Sequence, residues 1–253
     1  MTEQCYVAPT SEAALDQAER LAQRWSLPLA SVDQPPGLRL WVDARGTRLG
    51  DSRPGAPGPI SVDFLEPAFL RRLAVAGPAR EGLVRAVGAR RGARPAILDA
   101  TAGLGQDAAI LAAAGCEVTL VERSPVVAAL LDDGLNRAGS DPRTAQASAR
   151  MRLRHEDSTR HLESLPDDQR PDVVVLDPMY APRRGGARSG KSMQHLQRLL
   201  GHDPAPPGLL DAALASARQR VVVKRQRRAP ALPGPAPDFT VPGTSTRFDV
   251  YLR

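Results

Sequence analysis

The chain has 253 residues, enough for one large domain, or one domain with a modest extension, and enough to bury a core without disulfides or metals. With 42% hydrophobic and 25% charged residues, wholesale disorder, collagen-like repeats and a coiled coil are excluded, and no apolar run is long enough to suggest a transmembrane helix. The charge is less ordinary: 34 basic residues against 28 acidic give net +6, and all the basic residues except Lys191 and Lys224 are arginines, so the surface is either simply solvated or faces an anionic partner such as nucleic acid.

Residues 4–8 are a short strand candidate. Ser11 stands where it can cap a helix, and Ala14, Ala18, Leu21, Ala22 and Trp25 follow at helical spacing. Pro28 and Pro35-Pro36 break the chain. Leu38-Arg39-Leu40-Trp41-Val42 alternates as a half-buried strand does, and Arg45-Gly46 suits a turn into a partner over 47–50. Residues 52–59, SRPGAPGP, are a loop or linker. Ile60–Leu65 reads as a last strand, with helical stretches from about 67 to 91.

From Ala96 the pattern changes. Ala96-Ile97-Leu98 is an apolar strand, followed by a Gly-containing turn and a helical run from Asp107 to Ala114. Glu117–Val121 is a second strand, Ser124–Arg137 a second helix and Met151–Arg154 a third strand. Asp172–Leu176, DVVVL, is a continuous apolar strand of the kind buried on both faces of a parallel sheet. Leu209–Ala217 is helical, Arg220–Val223 is another buried strand, and Arg247–Leu252 closes the chain with an alternating one. Strands alternating with helices imply a doubly wound α/β sheet. The N-terminus has no basic flank before an apolar core, so the cytoplasm is the expected compartment. Cys5 and Cys116 have no metal-ligand spacing, and no metal site is expected.

The strand before the Gly turn ends in Asp99, within D-A-T-A-G-L-G-Q-D. Gly103 and Gly105 permit a tight turn and close approach of a ligand to the backbone, and the next helix points its N-terminus there. Glu122 ends the second strand, where an acid can accept from ribose hydroxyls. A dinucleotide would accept Ala108 in place of a third glycine, but its pyrophosphate is repelled by Asp99 and Asp107. S-adenosylmethionine, with an ammonium and a sulfonium, suits those carboxylates better. A plain structural turn is the remaining alternative. The third strand runs into His155-Glu156-Asp157-Ser158. Asp157 and Ser158 there can read an adenine amino group, or simply cap the following helix.

The fourth strand runs into Asp177-Pro178-Met179-Tyr180, at the carboxyl end of a central strand, where open α/β sheets place their sites. The order resembles the (Asp/Asn)-Pro-Pro-(Tyr/Phe) loop of methyltransferases acting on exocyclic amines. Such an amine is a poor nucleophile because its lone pair is delocalised into the ring. The Asp177 carboxylate and Pro178 carbonyl can accept its N–H bonds and aim the lone pair at a methyl donor, while Tyr180 can stack on an extruded base. The competing reading is an ordinary strand-ending Asp-Pro turn. Residues 178–228 hold eleven basic residues against Asp203 and Asp211, net +9, so the rest of the chain carries −3. Arg183, Arg184, Arg188 and Lys191 follow the catalytic loop, and Lys224 and Arg225 end the fifth strand; phosphate contact and plain solvation are the two readings of these six.

Taken together, DATAGLGQDAAILAAAGCEVTLVERSPVVAALLDDGL, VVVLDPMY, VVVKR and the terminal RFDVY resemble the ribosomal RNA small subunit methyltransferase J family, over about residues 60–252. The resemblance implies a Rossmann-like class I methyltransferase domain over 67–253, with a helical lead-in to about 95, behind a small α+β N-terminal domain over 1–66. It implies S-adenosylmethionine-dependent methylation of a guanosine N2 in small-subunit rRNA or the 30S subunit, with no membrane partner. It assigns cofactor contacts to Gln106 and Asp107, Glu122 and Arg123, Asp157 and Ser158, and Asp177. Gln106 stands where the family usually has Arg, Asp157 where Ser is common, and one residue is inserted after Tyr180. The alternatives are a methyltransferase for another nucleic acid or amine, a non-catalytic rRNA-binding assembly factor and, more remotely, a nicotinamide oxidoreductase.

Overall fold

The computed structural model describes residues 3–31, 33–90, 92–178, 191–201 and 207–253. In chain order these form β1 (Tyr6–Pro9), α1 (Leu15–Arg24), β2 (Leu38–Asp43), β3 (Gly46–Asp51), α2 (Pro67–Ala74), α3 (Gly82–Ala86), β4 (Ile97–Asp99), α4 (Gln106–Ala113), β5 (Val118–Glu122) and α5 (Pro125–Gly139). Then come α6 (Ala145–Ser148), β6 (Met151–His155), α7 (Ser158–Ser164), β7 (Val173–Leu176), α8 (Lys191–Leu200), α9 (Leu209–Ser216), β8 (Arg220–Gln226), β9 (Phe239–Pro242) and β10 (Thr246–Leu252). Among the described residues no helix is long and apolar enough to cross a membrane.

The chain divides into two compact units. The first comprises Met1–Asp63, Ser124–Gly134 and Met179–Pro204, as far as these are described. Its sheet has the order β1-β2-β3, with β1 parallel to β2 and β2 antiparallel to β3. Leu38, Leu40 and Val42 of β2 are fully buried with Val7 and Leu49. The buried small residues Ala18 and Ala22 let α1 pack close to β1 and β2. At the end of β3 the Asp51 carboxylate is wholly buried and is paired with Arg53 and with Arg198 of α8.

Three expectations for this region are corrected. Ser11 makes no side-chain cap; Glu12–Ala14 is a 3-10 turn, and α1 begins after it. Arg39 does not face solvent from β2: it is 6% exposed, donates to the carbonyls of Leu38 and Gln34, and lies over the Tyr6 ring. Ile60–Leu65 is not a strand, and only Ile60 bridges to Leu49. The alternation that suggested a strand is real, since Ile60, Val62 and Phe64 are buried, but it serves packing rather than a ladder.

The second unit comprises Phe64–Arg123, Leu135–Pro178 and Ala205–Arg253. The helical stretch expected from 67 to 91 is two helices, α2 and α3, separated by a break at Gly77-Pro78. Glu66 starts α2 by accepting from the N–H groups of Ala68 and Phe69 at 3.0 and 2.9 Å. Seven strands form one sheet in the order β6-β5-β4-β7-β8-β10-β9. The first five run parallel and β10 runs antiparallel to both β8 and β9. All four residues of β7 are fully buried, as the apolar run requires of a strand covered on both faces. β8 extends to Gln226, past the expected Val223, because Thr246 of β10 pairs opposite Gln226. From β4 the chain moves outward to β5 and β6, then crosses back to β7 on the other side. That reversal opens a crevice at the carboxyl ends of β4 and β7.

Candidate active site

Asp99, Glu122 and Asp177 stand at the carboxyl ends of β4, β5 and β7. The loop from Ala100 to Gly105 turns between β4 and α4. Gly103 (φ 52°) and Gly105 (φ 72°) are both left-handed, a conformation that costs a side-chain-bearing residue roughly 1–2 kcal/mol. A Cβ placed on Gly103 would come no nearer than 3.8 Å to a neighbouring atom, Thr101 O, so the backbone there is open to a ligand.

Groups at three other strand ends hold this loop: two side chains and one backbone N–H. Glu122 accepts the Gly103 N–H at 3.0 Å. Ser158, buried at the start of α7, donates to Ala100 O at 2.5 Å. The Asp177 N–H donates to Thr101 Oγ1 at 2.6 Å, while the Thr101 N–H donates to Asp99 Oδ1 at 3.1 Å. Thr101 therefore ties the β4 end to the β7 end.

The charges form a compact cluster. Lys224 of β8 donates to Asp107 Oδ2 at 2.6 Å and lies 2.9 Å from Asp177 Oδ2. Its register explains this: Val223 pairs with Leu176, so Lys224 comes level with Asp177. Asp99 is 3% exposed, and burial pushes its carboxyl up to about 7, helped by Asp107 and Asp177 and opposed by the Thr101 N–H and Lys224. Burial also raises Asp177, against the lowering pull of Lys224. Burial alone would lower the Lys224 ammonium, but Asp107 and Asp177 outweigh it and hold it above its ordinary value. Three carboxyl groups with one ammonium leave the cluster negative, which favours a cationic ligand.

A cavity of about 530 Å³ opens beside β7. Leu176 and Pro178, on either side of Asp177, line it with Leu209, Leu232, Pro233 and Asp211. Its walls are mostly apolar, with Asp211 as the charged group among the described residues.

The structure thus brings together Asp99, Gly103, Gly105, Asp107, Glu122 and Asp177, with Pro178 at the cavity. Gln106 and Arg123 are exposed at the mouths of α4 and β5. Asp157 caps α7, accepting the Arg160 N–H at 3.0 Å. Tyr180, Arg183, Arg184 and Arg188, and the side chain of Lys191, lie outside the described residues. Two RNA-contact expectations are corrected. Lys224 turns into the carboxylate cluster. Arg225 is 3% exposed and donates to Pro230 O, because neighbouring strand residues face opposite sides of the sheet. The exposed bases at this strand exit are Arg227 and Arg228. Thr101 went unforeseen; its hydroxyl between Asp99 and Gly103 is the one trace of its role in the sequence.

A family profile described as "Putative SAM-dependent methyltransferase" matches residues 20–253. A Pseudomonas aeruginosa (strain UCBPP-PA14) protein, Ribosomal RNA small subunit methyltransferase J, is 45% identical over 98% of this chain and 94% of its own. The protein of that name from Thioalkalivibrio sulfidiphilus is 47% identical over 96% of this chain and 95% of its own. The crystal structure of a SAM-dependent methyltransferase from Neisseria gonorrhoeae superposes with a TM-score of 0.76 at 33% identity, covering 97% of this chain and 95% of that one.

Proposed function

Because this chain belongs to the S-adenosylmethionine-dependent methyltransferase family of the ribosomal RNA small subunit methyltransferase J proteins, we propose that it methylates the exocyclic N2 amine of a guanosine in small-subunit rRNA. The naked rRNA or the 30S subunit in the cytoplasm is the substrate. The observation that carries the reading is the joining of Asp177 to the Gly loop, through Thr101 on one side and Lys224 on the other. The relatives' names support the rRNA substrate.

The residues fit the cofactor. The open backbone at Gly103 and the negative cluster of Asp99, Asp107 and Asp177 suit its ammonium and sulfonium, and Glu122 stands where it can accept from ribose hydroxyls. We keep Asp157 and Ser158 as the adenine edge, with Gln106 and Arg123 at the rim. S-adenosylmethionine, when bound, supplies an electrophilic methyl group.

The chain's own residues do the rest. Asp177 and the Pro178 carbonyl accept the two N–H bonds of the guanine amine, so that its nitrogen becomes pyramidal and its lone pair is withdrawn from conjugation with the ring. Alignment of this kind contributes several kcal/mol to lowering a barrier. The alkylated amine is acidic, and Asp177 or water takes its proton. The apolar cavity beside Pro178 receives the base, with Tyr180 stacking on it for roughly 1–3 kcal/mol. Arg183, Arg184, Arg188 and Lys191 contact phosphates. Residues 1–66 act as a small accessory domain to the catalytic domain over 67–253.

The experiment is transfer of tritium from labelled S-adenosylmethionine to small subunits, and to rRNA, lacking the native modification, followed by mass-spectrometric mapping. Incorporation into one guanosine is expected; no incorporation rejects the reading. Asp177→Ala is expected to lower turnover by about 100-fold or more while calorimetric cofactor binding persists.

A further inference from the structure

We propose that Lys224 is a positioning residue for methyl transfer, joining Asp107 of the cofactor-side helix to Asp177 of the catalytic strand end. The inference rests on the methyl-transfer reading above and goes beyond it, because the basic VVVKR run otherwise reads as part of an RNA-facing surface.

The geometry has three parts. The Lys224 Nζ lies 2.6 Å from Asp107 Oδ2 and 2.9 Å from Asp177 Oδ2, so one ammonium spans two carboxylates on different elements. Its side chain is 24% exposed, against 41% for that of Asp177. Lys224 meets one oxygen of that carboxylate, Oδ2, and the Asp177 side chain keeps exposed surface to receive substrate. The β7-β8 register fixes its height beside Asp177.

The electrostatics follow. The groups facing Asp177 are Lys224 from β8, Asp107 from α4, and Asp99 at the end of β4, with Thr101 Oγ1 on its N–H. Lys224 is the cation in this set. Burial and the neighbouring Asp107 favour the protonated form of Asp177, and Lys224 opposes them. An acceptor for amine N–H bonds must be ionised and oriented, and Lys224 serves both needs.

The test compares wild type with Lys224→Gln, Lys224→Arg and Asp107→Asn. The Asp177 carboxyl is titrated by carbon-13 NMR, its signal assigned with Asp177→Asn. In Lys224→Gln the Asp177 midpoint is expected to rise by about 1–3 pH units. At pH 7, kcat is expected to fall roughly 10–100-fold and to recover partly as pH rises, because ionised Asp177 is the active form. KM for RNA stays within about threefold. Lys224→Arg restores much of both properties. In Asp107→Asn the midpoint falls, since an acid has been removed beside the carboxyl; general loosening of the site does not produce these opposite signs.

An unmoved Asp177 midpoint with unchanged kcat overturns the proposal. So does an effect confined to KM with a shallower salt dependence, which is the signature of a phosphate contact. A wild-type protein that transfers no methyl group to RNA rejects the functional reading, while the titration still decides the role of Lys224.

Discussion

Replacing Asp99 by Asn should make the protein more stable and a poorer cofactor binder, and the gain should grow with pH. Asp99 is 3% exposed, and its carboxyl moves from an ordinary 3.8 to about 7 in the fold. A group whose pKa is raised by folding holds its proton more tightly in the native state. Its contribution to stability is therefore fully present below the unfolded value and is lost as pH rises through about 7. The displacement of roughly three units, at about 1.4 kcal/mol each, sets the loss at about 4 kcal/mol at pH 8. An Asn has no charge to desolvate, and its carbonyl can still accept the Thr101 N–H that Asp99 accepts now. Urea unfolding of both proteins between pH 5 and pH 8 measures the effect. The difference in favour of Asp99→Asn should grow from roughly 1.5 kcal/mol at pH 5 and level off at about 4 kcal/mol by pH 8, since each unit adds about 1.4 only until pH passes about 7. Calorimetry should show weaker cofactor binding, because a carboxylate facing a cationic ligand has gone. A difference that does not vary with pH, or a less stable Asp99→Asn at pH 8, would refute the reasoning.

Thr101→Val keeps the shape but removes the acceptor of the Asp177 N–H, so it should lower stability by about 1–3 kcal/mol in urea unfolding and reduce kcat more than it weakens cofactor binding. Gly105→Ala forces a Cβ into a residue at φ 72°; a loss of about 1–2 kcal/mol and weaker cofactor binding by calorimetry are expected. Both effects should exceed those of Gln106→Ala, whose exposed side chain should give a shift within about 0.5 kcal/mol in the same unfolding assay.

The core sheet was legible because its strands are written in apolar runs. DVVVL could belong only to a strand covered on both faces, and β7 is fully buried. The Gly loop was legible because left-handed turns require particular residues, and Gly103 and Gly105 meet that demand. The facing of charged side chains was not legible. Lys224 and Arg225 are adjacent cations, and pattern alone does not say which of two neighbours on a strand faces the site. The pairing of β8 with β7 and β10 decides it. Ile60–Leu65 misled for a related reason: alternation reports burial of one face, and burial does not need a hydrogen-bonded partner. Thr101 was invisible because its bond to Asp177 joins residues 76 positions apart.

The full burial of β7 has a consequence for how the enzyme tolerates change. Val173, Val174, Val175 and Leu176 are wedged between β4 and β8 with no exposed surface, and Asp177 is the next residue. The height of the Asp177 carboxylate above the sheet is thus gauged by the packing of four aliphatic side chains. A methylene removed from that row shifts Asp177 along with the core. Methyl transfer is therefore a sensitive measure of hydrophobic packing in this protein, and variants of the β7 row should grade in turnover as they grade in stability.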